Sequence, residues 1–351
     1  MQLQQNIPLA PLTTLGVGGP ARWLVNASTE AEIEEALAFA RAQHLPVFVL
    51  GGGSNLLVSD KGFAGLVLQV ALQGIVQSAP SDGRVLLRVA AGESWDRLVQ
   101  HTVERNLAGM ECLAGIPGTV GGTPVQNVGA YGQEVSDTIR AVHCIGIDSG
   151  ERRTLSATDC GFAYRTSLLN TTHRGRLLVT GVDFELVQGG APRLAYADLR
   201  RRFAANTQPT LQEVAEAVRN IRREKGMVVD PADPNSRSAG SFFRNPVVDA
   251  ARVPLVSDAA GVPEDQVPNW PAGEGCVKLP AAWLLEQAGF VRGYQLGRAG
   301  ISARHTLALV NRGGATAQDI VHLRDRIIST VQRQFGILLE QEPVGLGDFN
   351  S

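Results

Sequence analysis

The chain has 351 residues, 44% of them hydrophobic and 19% charged, enough for two or three compact units with real cores, which excludes a disordered chain. A formal net charge of -2 and a pI near 6.3 provide no field that would draw nucleic acid or an anionic membrane as main partner. No apolar run reaches the roughly 20 residues of a membrane span, Met1 to Pro11 lacks a leader pattern, and Cys112, Cys144, Cys160 and Cys276 stand at no disulfide or zinc spacing, so the expectation is a cytoplasmic chain with reduced thiols and no metal.

Thr29 to Glu32 has capping-box spacing and opens an amphipathic helix to Gln43; Pro46 then stops it and Val47 to Leu50 reads as a buried strand. That strand runs straight into Gly51, Gly52, Gly53, Ser54 and Asn55, whose unhindered amides, hydroxyl and carboxamide form a kit for cradling a pyrophosphate without cations. A glycine-rich hairpin turn is the plainer reading of the same five residues. Neither G-x-G-x-x-G nor a P-loop is present, so a Rossmann site and Walker-type phosphoryl transfer are unsupported. Leu66 to Val70 and Val85 to Ala90 read as strands and Ser94 to Asn106 as a helix. Gly115 to Gly132 is too rich in glycine and proline for a regular helix or a central strand, and reads as a structured loop arranged for a large planar heterocycle. Ala141 to Ile147 and Leu177 to Leu186 are strand-like, and Thr210 to Glu213 is another capping box, opening a helix toward Lys225. A long helix from Thr316 to Phe335 closes at Gly336, and Ile337 to Val344 reads as a final strand that returns to an earlier sheet.

Gly51 to Asn55, Gly115 to Gly122 and Gln126 to Gly132 resemble the flavin-binding loops of the UDP-N-acetylenolpyruvoylglucosamine reductase family. Ala163-Tyr164-Arg165-Thr166-Ser167, Tyr196 to Leu199, Ala239 to Pro246 and Leu339 to Glu342 resemble its later motifs, so the likeness covers essentially the whole chain. It implies an α+β fold with a two-piece FAD-binding domain of the vanillyl-alcohol-oxidase/PCMH type, residues 1–72 and 73–220. Residues 221–336 would form an α+β substrate-binding domain, with 337–351 packing back on the second flavin piece. Non-covalent FAD would be held by Gly51, Gly52, Gly53, Ser54, Asn55, Ile116, Pro117, Gly118, Gly121, Gly122, Thr123, Asn127, Gly129, Ala130 and Tyr131. NADPH would be the reductant and UDP-N-acetylglucosamine enolpyruvate the acceptor, both in one cleft of a monomer.

The implied reaction moves hydride from flavin N5 to C3 of the enolpyruvyl group, with Ser241 protonating C2 and Arg165 and Glu342 stabilising charge on the substrate carboxylate. Tyr196, Arg222, Lys225, Asn245, Trp270, Lys278 and His305 match substrate-side positions, with Trp270 standing where one class of the family carries a lid tyrosine in the segment Ser257 to Gly275. Taken singly these residues have duller readings: a surface arginine, a turn serine, cations at a helix end, a structural histidine. Glu340 shares a strand face with Glu342 and competes with it; the family pattern points to Glu342. The alternatives to the reductase are an FAD-dependent oxidase of the same flavin fold and a non-catalytic nucleotide-sugar or flavin-binding sensor.

Overall fold

Thr29 accepts from the Glu32 N–H at 3.2 Å while the Glu32 carboxylate accepts from the Ser28 N–H at 2.8 Å, so the helix Glu30–Ala42 starts on both bonds of a box shifted by one residue. The helix buries Ile33, Ala36, Leu37 and Ala40, at helical spacing, against a four-stranded sheet ordered Leu3–Pro8, Pro20–Ala27, Phe63–Val70, Val47–Leu50. Pro20–Ala27 and Val47–Leu50 both run parallel to Phe63–Val70. The structure, a computed structural model, describes residues 1–204 and 207–349.

The chain divides into two units, the first made of residues 1–7, 21–53 and 63–224, the second of residues 8–20, 54–62 and everything from Lys225 onward. The first unit also holds an antiparallel sheet ordered Arg152–Ser156, Ile139–Gly146, Leu177–Gln188, Arg84–Ala90, Ile75–Gln77. Along Arg84–Ala90 the side chains alternate: Val85, Leu87 and Val89 are fully buried, whereas Arg84, Leu86 and Arg88 are exposed. The buried face packs on the helix Trp95–Glu104 through Trp95, Leu98 and Val99, and the same core takes Val214, Val218 and Ile221 from the helix Leu211–Glu224. Each such fully buried side chain stabilises the unit by about 1.5–3 kcal/mol.

In the second unit the long helix is Ala317–Phe335. Its first amides are capped by Asp60, which accepts from the Ala317 and Gln318 N–H groups at 2.8 and 2.9 Å, and it ends at Gly336 in the left-handed conformation. Ile320, Leu323, Ile327 and Val331 line its buried face, packed with Phe242, Phe243, Leu284 and Leu285. Two three-stranded sheets complete the unit, Val247–Asp249, Cys276–Lys278, Trp270–Pro271 and Gln295–Leu296, Ala299–Ile301, Leu309–Asn311.

The end of the chain differs from its sequence reading. Within Ile337 to Val344 only the last residue enters a strand: the ladder is Val344–Leu346, parallel to Leu56–Val58, preceded by one isolated antiparallel bridge between Phe243 and Gln341. Pro343 has no N–H to donate, which breaks the ladder where the pattern of apolar residues would have continued it. The partner strand, Leu56–Val58, lies in the sequence span expected for the first flavin piece rather than the second.

Candidate flavin and substrate site

The glycines of the first loop are demanded by the second. A Cβ at Gly52 would sit 2.5 Å from Gly118 Cα, so the two loops meet backbone to backbone there, and one at Gly51 would sit 2.8 Å from the Thr119 Oγ1 side chain. The second loop is seated at the start of the helix Trp95–Glu104. Trp95 N–H donates to Gly118 O at 3.1 Å, Val120 N–H to Glu93 O at 2.9 Å, Gly121 N–H to Ala91 O at 2.8 Å, and Gly115 N–H to the Asp96 carboxylate at 2.6 Å. Ile116, Pro117 and Gly118 are half-buried, while Gly122 is exposed with its nearest neighbour, Thr119 Oγ1, 4.0 Å from where a Cβ would lie. Thr123 is buried and spends its hydroxyl proton on Val120 O. A bare, glycine-lined backbone with no cation in either loop suits a dinucleotide held by main-chain amides and by contact with its ring faces, and so fits FAD.

Gly129–Ala130 and Gln133–Glu134 pair as a hairpin whose two turn residues, Tyr131 and Gly132, have φ of 49° and 85°. Positive φ at both positions is the primed turn that matches the twist of a hairpin. The turn projects Tyr131 edge-on to Tyr196, with ring centroids 5.4 Å apart, and the Tyr131 hydroxyl is hydrogen-bonded to Arg222, whose Nε donates to Gly115 O at 3.0 Å. Burial pushes the Tyr131 phenol above its ordinary range despite the nearby guanidinium, and pushes the Arg222 guanidinium down against the pull of Tyr131 and Asp96. Tyr196 is likewise raised by burial. Three residues read as flavin or substrate contacts therefore form one packed cluster in the first unit.

Arg165 sits in a two-residue turn closed by reciprocal bonds between Ala163 and Thr166, with φ of 54°. Three bonds tie this turn to the flavin loop: Arg165 Nη2 donates to Gly129 O at 2.9 Å, Asn127 Nδ2 to Ala163 O at 3.2 Å, and Ser167 Oγ to Val125 O at 2.7 Å. Asn127 is fully buried, and its amide also donates to Glu134 at 2.8 Å and accepts from Ser136 N–H at 3.2 Å. Its side chain is thus spent on the scaffold, which leaves only its backbone to meet a cofactor.

In the second unit the segment after Gly240 runs antiparallel to the chain end. Glu342 N–H donates to Phe242 O at 2.9 Å and Arg244 N–H to Glu340 O at 3.0 Å, which places Ser241 and Glu342 on adjacent antiparallel segments joined by one bridge. Asn55 binds both sides of this chain end, donating to Glu342 O at 3.4 Å and accepting from Val344 N–H at 2.9 Å, while Thr14 Oγ1 reaches Ser54 O and Ser238 O. Glu340 and Glu342 separate here: the Glu340 side chain is 73% exposed and 4.0 Å from Arg244, whereas Glu342 is half-buried. Trp270 and Lys278 are register partners across strands, and Trp270 is 51% exposed. Asn245 Oδ1 caps the helix Ala281–Gln287 through Ala281 N–H at 2.9 Å, and His305 Nδ1 accepts from Leu307 N–H at 3.1 Å, so each has a structural duty. Lys225 is half-buried just beyond the helix that carries Arg222.

The sequence reading missed the carboxylates behind these loops. Asp96 anchors Gly115, Glu134 anchors Asn127, and buried Glu111 accepts from Gly109 N–H, Gln133 Nε2 and Arg193 N–H. Nothing in their local sequence marks them, because the bonds of Asp96 to Gly115 and of Glu111 to Gln133 and Arg193 join residues 19 to 82 positions apart.

Two regions of the chain match known domains. Residues 21–156 match the FAD binding domain family and residues 231–346 the family described as UDP-N-acetylenolpyruvoylglucosamine reductase, C-terminal domain. The fold and the glycine loops thus define a flavoprotein with a separate C-terminal domain. Over its whole length the chain is 47% identical to the UDP-N-acetylenolpyruvoylglucosamine reductase of Thermobifida fusca, covering 98% of each sequence. It is 46% identical to the one of Saccharopolyspora erythraea, over 96% of this chain and 93% of that protein. The crystal structure of UDP-N-acetylenolpyruvylglucosamine reductase from Thermus caldophilus aligns with a TM-score of 0.66 at 28% identity, covering 99% of this chain and 100% of that one. The chain belongs to the UDP-N-acetylenolpyruvoylglucosamine reductase family.

Proposed function

We propose that this protein reduces UDP-N-acetylglucosamine enolpyruvate to UDP-N-acetylmuramate with NADPH, a step of peptidoglycan precursor synthesis, and that the two ligands bind in turn to a monomer. When bound, FAD supplies the hydride carriage from NADPH to C3 of the enolpyruvyl group. Arg165 forks onto the substrate carboxylate, so that negative charge developing there meets a fixed cation, and Glu342 helps to polarise that carboxylate and to hold the site in its productive protonation state. Ser241 gives the proton to C2. Tyr196, Arg222, Lys225, Asn245, Trp270, Lys278 and His305 serve the UDP-sugar, the cations its diphosphate and the rings and amides its uracil and sugar. Among the described residues no helix is long and apolar enough to cross a membrane, which agrees with a water-borne substrate.

The observation that carries this reading is the bond from Arg165 to Gly129 O, which supports a carboxylate-binding cation at the flavin loop. The test is anaerobic absorbance of the purified protein. NADPH is expected to bleach the oxidised flavin band and the enolpyruvyl UDP-sugar to restore it. Bleaching without restoration would redirect the assignment to an oxidase, and absence of a flavin band after reconstitution with FAD would overturn the reading of both glycine loops.

A further inference from the structure

We infer that Glu134 is a positioning residue for the reductive step, acting through Asn127 and Gly129 to fix the turn that carries Arg165; the inference rests on the role proposed for Arg165 above. Glu134 meets the flavin loop in two ways. Its Oε2 accepts from Asn127 Nδ2 at 2.8 Å, and it is the register partner of Gly129, whose missing Cβ would lie 2.8 Å from Glu134 Cγ and 3.4 Å from Arg165 Nη1. Both contacts lead to the same turn: Asn127 passes its second amide proton to Ala163 O, and Gly129 O receives Arg165 Nη2.

Glu134 is itself held. Its main chain is fixed by Asp137, whose carboxylate accepts from the Glu134 N–H at 3.1 Å, so the backbone from which its carboxylate reaches Asn127 is set locally. Asn127 needs such a partner because it is fully buried and left-handed, with φ of 46°. With Glu134 gone, one proton of this buried amide is left unsatisfied and the amide is held only by Ser136 N–H and Ala163 O, which weakens its grip on the turn. Arg165 is also left-handed, at φ 54°, a conformation that a non-glycine residue holds only when its surroundings fix it. Loosening the turn therefore misaims the guanidinium while leaving the glycine contacts of the flavin loop, on Gly52, Gly118 and Ala91, in place.

The experiment compares wild type, E134A and E134Q by anaerobic stopped flow, reading flavin absorbance in each half-reaction. Glutamine keeps an acceptor for Asn127 and loses only the charge. E134A is expected to slow substrate-driven return of the flavin band by ~10-fold to ~100-fold, the cost of a small misplacement of a catalytic group, with NADPH bleaching within about two-fold of wild type, and E134Q is expected to restore most of the loss. Equal loss in both half-reactions, an unchanged return rate in E134A, or E134Q as slow as E134A would each overturn the inference. If E134A does not fold, E134D takes its place, since its side chain is one carbon shorter and falls short of Asn127: slowed return with unchanged NADPH bleaching supports the inference, and a wild-type return rate overturns it. The wild-type trace separates the two levels, since its failure to recover the band with the enolpyruvyl substrate would sink the reductase reading itself.

Discussion

Arg165 and the Ser241–Glu342 pair are held by different means. Around Arg165 the anchors are side chains: Asn127, Ser167 and the guanidinium itself bind main-chain carbonyls across two tight turns with left-handed residues. Around Ser241 and Glu342 the anchors are main-chain bonds between two extended segments, backed by the buried rings of Phe242 and Phe243. Substitutions of neighbours should therefore propagate to Arg165, whereas Ser241 and Glu342 should respond chiefly to their own replacement. The contrast can be broken or sharpened residue by residue.

The largest effect is expected from Ser241→Ala. A general acid contributes ~100-fold to ~10,000-fold, so return of the flavin band with the enolpyruvyl substrate should fall by about three orders of magnitude while NADPH bleaching persists. A wild-type return rate would remove Ser241 from the proton transfer.

Next come the two glutamates of the chain end. Glu342→Gln should lower the turnover of the UDP-sugar by ~100-fold, the scale of one electrostatic stabiliser, and Glu340→Gln should stay within about two-fold, because Glu340 points to solvent with only Arg244 4.0 Å away. Steady-state kinetics of the pair settle it; the reverse order would transfer the role to Glu340.

How much of this was legible in the chain depends on the range of each signal. The helices at Thr29 and Thr316 announce themselves in a few residues, since capping boxes are local. The glycine loops are legible as loops, but that Gly52 packs on Gly118 is not, because contact between residues so far apart leaves no local pattern. Likewise the spacing Ala163 to Ser167 is visible, while its reason, three bonds to residues 125, 127 and 129, appears only once the turn lies against the flavin loop. Asn127 reads as a ligand residue in sequence, and the bonds of its buried amide to Glu134 and Ala163 carry no local signal.

A smaller effect separates loop packing from cofactor contact. Gly52→Ala forces backbone apart at Gly118, so it should lower the melting temperature of the flavin-free protein and weaken FAD binding about ten-fold or more. Gly122→Ala meets nothing closer than 4.0 Å in the protein, so it should leave the flavin-free melting temperature unchanged and weaken FAD alone. Fluorescence titration with FAD and thermal melts of the flavin-free proteins measure both. Equal flavin affinity for Gly122→Ala and wild type would show that FAD does not approach that backbone.

The smallest effect belongs to the antiparallel sheet of the first unit. On the exposed face of the antiparallel sheet, Arg88 holds Asp183 by two bonds of 2.8 Å, and His143 Nε2 lies 3.1 Å from the same carboxylate. Burial alone would raise the Asp183 carboxyl, but the bonds from Arg88 and His143 outweigh it and hold it below the ordinary carboxylate range. Its ionised form is thus favoured in the folded state, so its contribution is present above the unfolded value near 3.8 and is lost as pH falls through the lower folded one. Asp183→Asn should cost about 1–2 kcal/mol at pH 7 and flatten the fall in stability below pH ~4. Urea unfolding of the two proteins from pH 3 to 7 measures this, with curves that converge at the acid end as the expected result. Parallel curves would mean that Asp183 carries no pH-dependent stability.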